Sequence, residues 1–310
     1  MGGLSRRELS AVLGSCGGAL LFGMSYLFTK RVIGRVDPFT LLSWRFLLGA
    51  LAMTACIMLG VFKVDYRKKP VHLLLSAVFF MPVCYFICET LGIRSVSVSE
   101  GSTIIACTPV VITFFSYVFL KEVPAKSRLA GVALTTCGIL MIALVKGLSV
   151  TLNVKGYLFL LGAILSNASF YTISQKALHQ FSVFERTYAM CLSGAAVFTV
   201  CALVENGAHG SVRSYLTLPF TDVDFLISAM YLGLGCTTCA FLLSNRSISI
   251  LGAARTCTFA GLANIISVGT GVLIMRDHFT LMQGVGTAMA VSGIYLVNRA
   301  PSEPAPSKVL

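Results

Sequence analysis

KEVPAKSRLAGVALTTCGI, residues 121–139, returns later in the chain as RDHFTLMQGVGTAMAVSGI, residues 276–294. Each copy opens on a cation–anion pair, Lys121-Glu122 and Arg276-Asp277. Each then carries two glycines at one spacing, so that Gly131 falls on Gly286 and Gly138 on Gly293. Before each pair runs a charge-free apolar stretch, Gly101–Leu120 and Thr256–Met275. Apolar helices resemble one another by chance, but shared charges and glycines point to duplication. The starts of the two halves align at a smaller offset, Lys30 over Lys176, and the loop at 205–224 absorbs the difference.

Working outward, a helix needs about 20 apolar residues to cross the hydrocarbon core of a bilayer. Ten such runs are marked: residues 9–32, 39–61, 71–92, 98–120, 127–146, 154–176, 184–204, 223–244, 253–275 and 279–298. No gap between them is long enough for a soluble domain. The sequence therefore predicts an all-α integral membrane protein of ten transmembrane helices. They form two five-helix repeats, residues 1–147 and 148–299, followed by a Pro- and Ser-rich cytoplasmic tail, residues 300–310, expected to be disordered. Five is odd, so the second repeat enters from the opposite side. Such inverted repeats are a common route to alternating access.

Composition agrees. Apolar residues make up 56% of the 310 positions and charged residues 12%, against roughly a quarter charged in soluble domains. A soluble fold this apolar has too little polar surface to cover itself. The formal charge of +12 would suggest nucleic acid in a soluble protein. Here the basic residues sit in short gaps between apolar runs and read as topology signals, so no nucleic-acid partner is expected. Arg6, Arg7, the Lys63–Lys69 cluster, Lys121, Lys126 and Arg128 outweigh the basic residues of the alternate gaps, such as Lys30, Arg35 and Arg94. That bias puts both termini in the cytoplasm, in the plasma or inner cell membrane. The first run is too long for a signal-peptide core and reads as a retained span. Most of the cysteines lie within apolar runs, where they behave as small hydrophobes. Neither Cys84/Cys88 nor Cys236-x-x-Cys239 has a second ligand pair, so no metal and no cofactor is expected. No Walker motif provides for ATP drive.

The stretch SEGSTIIACTPVVITFFSYVFLKEVPAKSRLAGVALTTCGILMI (residues 99–142) resembles the end of an EamA domain. It has a proline in the helix (Pro109), an acidic residue closing it (Glu122), and Gly131 and Gly138 in the next. LGAARTCTFAGLANIISVGTGVLIMRDHFTLMQGVGTAMAVSGIYL (residues 251–296) is similar to the second copy, and LLSWRFLLGAL (residues 41–51) matches the family's second-helix arginine at Arg45. Asn264 stands where a proline is usual, and Asp277 replaces the usual glutamate. The chain thus resembles the ten-helix EamA branch of the drug/metabolite transporter superfamily, over nearly its whole length. The resemblance implies a carrier of small metabolites, typically amino acids or related compounds and commonly exported. It also implies a cavity lined by spans one to four and six to nine, with spans five and ten outside. A channel-like pore is the alternative. A membrane-embedded lipid-modifying enzyme is a third, against which the few, scattered acids count.

An ionisable side chain at membrane depth is a functional candidate. Glu89, in CYFICETLGIR, reads either as a cavity carboxylate that contacts substrate or carries a coupling proton, or as a structural partner of Arg94 or Lys30. Arg45 pairs with Glu89, attracts an anionic substrate, or serves structure. Glu100 and Arg255 begin spans four and nine at equivalent repeat positions and read as gates or helix-end packing. Ser166, Asn167, Tyr171 and Asn264 lie near the midplane, as substrate contacts or helix bridges. Tyr26 and Tyr85 are further lining residues, and Pro109 is expected to bend span four. Gly14-x3-Gly18 serves close packing within the chain or a homodimer; the sequence leaves monomer and homodimer open.

Overall fold

The computed structural model describes residues 5–32, 35–95, 104–105, 107–121, 123–144, 153–176, 180–208, 210–275 and 280–299. Among the described residues the chain is helical and no β-strand forms. The helices are α1 (Arg6–Val32), α2 (Pro38–Met58), α3 (Val71–Ser95), α4 (Thr108–Leu120), α5 (Lys126–Leu144), α6 (Val154–Lys176) and α7 (Val183–Ala208). They continue with α8 (Val212–Thr221), α9 (Val223–Leu251), α10 (residues 253–275) and α11 (Leu281–Arg299). Six of them, α1, α2, α3, α6, α7 and α9, contain segments long and apolar enough to cross a membrane, while α4 and the Gly284–Val297 part of α11 are apolar but shorter. Large apolar side chains stand bare on the outside of the bundle, such as Leu13, Leu51, Phe114 and Val200 at 60–63% exposure. In water such a surface would be an aggregation hazard; in a bilayer it meets lipid.

Local chemistry sets the helix starts. At α1, Ser5 N–H donates to Glu8 Oε2 (3.0 Å) and Glu8 N–H donates to Ser5 Oγ (3.2 Å), a reciprocal capping box. Ser182 and Glu185 repeat the device at α7 (2.8 and 3.1 Å). The same carboxylate receives Lys69 Nζ on both oxygens (2.7 Å each) and Asp65 N–H (3.0 Å). Asp222 caps α9 through Phe225 N–H (3.0 Å). Between α9 and α10 the chain turns at Gly252, whose φ of +82° is one that side-chain-bearing residues rarely adopt.

Two departures from the sequence reading fall within the second half. The segment expected as a plain loop, 205–224, contains the short helix α8, anchored by Tyr215, whose hydroxyl hydrogen-bonds Ser43 Oγ (2.7 Å). The eighth span, expected to stop at 244, continues as helix to Leu251. Arg246 marks an end in the hydropathy profile, but a helix goes on as long as its backbone bonds and one buried face persist.

Helical irregularity falls at matching places in the two halves. α3 kinks within Phe79–Cys84, where Met81, just before Pro82, leaves helical φ/ψ (φ −136°, ψ 116°), and α9 widens into a π stretch at Tyr231–Ala240. Pro109 occupies the first turn of α4 as described, where a proline removes no helical hydrogen bond. Among the described residues Pro82 in α3 and Pro219 in α8 lie inside helices, and the sequence reading singled out neither.

The principal packings come in related pairs: α3 on α6 and α1 on α9; α4 on α6 and α1 on α10; α2 on α7; and α5 on α11. Exchanging α1–α5 with α6, α7, α9, α10 and α11, in that order, maps this set onto itself. The α5–α11 contact shows why the repeated glycines are there. A Cβ on Gly131 would lie 2.7 Å from Gly293 O, and one on Gly138 would strike Gly286 O, with Ala290 N at 2.6 Å. The first glycine of each helix meets the second glycine of the other, as an approximate two-fold between antiparallel helices requires.

Candidate functional site

A cavity of about 420 Å³ lies inside the bundle. Among the described residues its wall draws chiefly on α1, α3, α4, α6, α9 and α10, with single contributions from α2 (Arg45), α5 (Ile139) and α7 (Met190). α11 contributes none of the described lining.

Arg45, Tyr85, Glu89, Asn167 and Tyr171, all singled out in the sequence, line this one space together with Pro109. Residues from α2, α3 and α6 converge there because α3 packs along α6 and α2 lies close against the π stretch of α9. That last approach depends on glycines: a Cβ on Gly233 would lie 2.8 Å from Arg45 O, and one on Gly49 3.1 Å from Thr237 Cγ2. Held this way, Arg45 donates through Nε to Thr237 Oγ1 (2.7 Å). Its guanidinium carbon stands 5.1 Å from the Phe86 ring centroid and 5.7 Å from that of Phe46, within cation–π range.

Glu89 accepts a hydrogen bond from Tyr85 Oη (2.8 Å), one helical turn earlier. Arg94 is engaged elsewhere, with Glu205 (3.0 Å) and Asp37 (3.9 Å). Arg45 and Glu89 share the cavity but do not come within the 4.0 Å of an ion pair; every such contact among the described residues is made by other groups. A cation and an anion therefore face one space across a gap. Buried charges are stable when paired, so a ligand carrying both signs would complete the site.

Polar atoms without a partner point the same way. Asn167 Oδ1 and Ser15 Oγ are buried, have no hydrogen-bond partner among the described residues, and belong to residues that line the cavity. An orphaned buried acceptor is costly until a ligand or water meets it. Phe22, Phe86, Phe170 and Phe241 supply apolar wall between these polar points, the usual make-up of a small-molecule site.

Other expected residues fall elsewhere. Ser166 is buried but does not line the cavity. Arg255 is buried at the end of the bundle where α1 begins, 3.8 Å from Glu8. Glu100 lies outside the described residues, as do the side chains of Tyr26 and Asn264, and the tail beyond residue 299. Gly14 and Gly18 face Leu243 of α9, with a Cβ on either at 3.5–3.8 Å from their nearest neighbours, so this pair packs within the chain. Missed in the sequence were Ser15, Ser25, Ser244 and Asn245. Serines in an apolar helix give no signal of which way they face. Ser244 and Asn245 adjoin Arg246 and read as a span end.

The comparisons with known proteins agree with this architecture. The sequence profile of the EamA-like transporter family matches residues 9–144 and again 154–299. The chain belongs to the EamA-like transporter family: it is a membrane transporter and not an enzyme. It is 30% identical over 277 residues to the transporter YcxC of Bacillus subtilis (strain 168), covering 89% of this chain and 88% of that one. It is 23% identical over 301 residues to YetK, a transporter of the same organism, covering 95% and 88%. In fold it is similar to a crystal structure with a TM-score of 0.75 at 17% identity, spanning 94% of this chain and 98% of that one.

Proposed function

We propose that the protein is a secondary carrier that moves a small zwitterionic metabolite, an amino acid or a related compound, and exports it by alternating access. The observation that carries this is the unpaired opposition of Arg45 and Glu89 across one cavity. The guanidinium takes a carboxylate, the Glu89 carboxylate takes an ammonium, and Asn167 adds a polar contact. Glu89 also serves as the group on which a coupling proton travels: protonated, it no longer holds the ammonium and lets the substrate go. Ten spans in two inverted repeats, 1–147 and 148–299, supply the two alternating states. The pairwise-related packings, the crossed glycines of α5 and α11, and the irregularities that interrupt both α3 and α9 support that reading. The basic residues at the face where α1 begins support cytoplasmic termini in the cell membrane. The inward-facing packing of Gly14 and Gly18 supports function without a glycine-mediated dimer.

Counterflow in proteoliposomes with a panel of labelled amino acids tests the proposal. Saturable exchange of one substrate class is expected. Flux that rises without saturation and shows no counterflow would instead favour a channel-like pore.

A further inference from the structure

Arg186 carries a positive charge used neither by the cavity nor by the ion pairs of the bundle. It stands in the first turn of α7 and is 3% exposed. Among the described residues no carboxylate lies within ion-pair distance of it, and its neighbour Glu185 is committed to Lys69. Its donors go instead to neutral acceptors on two other helices. Nη1 donates to Ser174 O (3.2 Å) and Ser174 Oγ (3.0 Å) of α6. Nη2 donates to Asn245 O (3.2 Å) and Ser249 Oγ (2.5 Å) of α9. Nε has no partner. Beside this fork, Asn245 Nδ2 donates to Thr187 Oγ1 of α7 (3.0 Å). Asn245 in turn lines the cavity, 1% exposed, at the end where Thr256 is 4% exposed.

We propose that Arg186 is a positioning residue: the brace that shuts this end of the cavity by tying α6, α7 and α9 together. The inference rests on the alternating-access reading above. For this end to open, α6 or α9 must part from α7, and the fork must release its acceptors. A carboxylate partner would resist that separation strongly. Neutral acceptors do not, because the entering water solvates the freed guanidinium and offsets the bonds lost. An arginine held only by hydroxyls and carbonyls is therefore a latch that closes firmly and still opens. A lysine offers one compact ammonium and not a planar fork, so it does not span both helices.

The test is a cysteine reporter at Ser244, a lining residue next to Asn245, in full-length protein whose native cysteines are replaced. A membrane-impermeant maleimide is applied to one face or the other of membrane vesicles of known orientation. In Arg186→Gln the rate from the face where α1 begins should rise about tenfold, the shift expected for one net charge-assisted hydrogen bond, while the rate from the opposite face falls. Ser249→Ala, which removes one acceptor and perturbs folding little, should shift the ratio the same way by less. A ratio unchanged in both variants overturns the brace. So does a parallel rise from both faces, which marks general loosening. Where Arg186→Gln does not reach the membrane, the Ser249→Ala ratio decides. Absence of counterflow in the unaltered protein would overturn the carrier reading alone, since the labelling ratio still reports on the brace.

Discussion

Glu89 and Tyr85 lie four residues apart on one helix face, so the hydroxyl reaches the carboxylate without help from the rest of the fold. That leaves the second carboxylate oxygen for a ligand. Glu89→Gln should raise the half-saturation concentration in counterflow about 10- to 100-fold, the worth of a hydrogen bond to a charged partner, with normal amounts of folded protein. Tyr85→Phe should raise it about fivefold, because the carboxylate then keeps its charge but loses its aim. The sign of the pH effect follows from the same chemistry. An ionised Glu89 holds an ammonium and a protonated one does not, so apparent affinity should fall as pH falls in the unaltered protein. The dependence should flatten in Glu89→Gln, and transport at two pH values measures it. Outside the membrane-spanning segments, burial and the nearby Glu185 carboxylate push the Tyr66 hydroxyl up, so it stays protonated and keeps donating to Glu185 O (2.9 Å). Glu185 itself is 3% exposed and answers Lys69. Glu185→Ala strands that ammonium and should lower stability by about 3 kcal/mol, read as a drop in Tm with the half-saturation concentration unchanged.

Between helices, contact distance is set by glycine. Gly138→Leu would drive a side chain into the α11 backbone and should cost about 1–3 kcal/mol of overpacking, seen as a lower Tm in detergent. Gly14→Ala meets only ordinary contact with Leu243 and should be neutral. These glycines were legible in the sequence as a repeated spacing. Their crossed pairing was not, because a spacing within one helix says nothing of which residue faces which on another. The long apolar helices were legible, since a run of apolar residues in lipid has no other way to satisfy its backbone, whereas the short α8 in the 205–224 segment was not. The far end of α9 was not, because Arg246 ends the apolar run while Asn245 and Ser247 are buried against neighbours. Of the site, the charged members Arg45 and Glu89 announced themselves by their cost at membrane depth. Ser15, Ser25 and Asn245 became visible only once three-dimensional packing turned them toward a common space.

At the scale of the whole molecule, the bundle presents large apolar side chains outward, and an internal cavity holds Arg45, Glu89 and Asn167 together. The proposed carrier mechanism has that cavity face each side in turn, which a pair of similar halves with opposite topology would permit. The central claim is that Arg45 and Glu89 grip the two ends of a zwitterion, and a cycle of ligands against variants tests it most directly. Inhibition of counterflow is measured for an amino acid substrate, its amide and its deaminated acid, on the unaltered protein and on Glu89→Gln. On the unaltered protein both analogues should bind about 10- to 100-fold more weakly than the parent. On Glu89→Gln the penalty for losing the amino group should vanish while the penalty for losing the carboxylate stays. Equal penalties in the two proteins would mean that Glu89 does not touch the substrate, and would contradict the account.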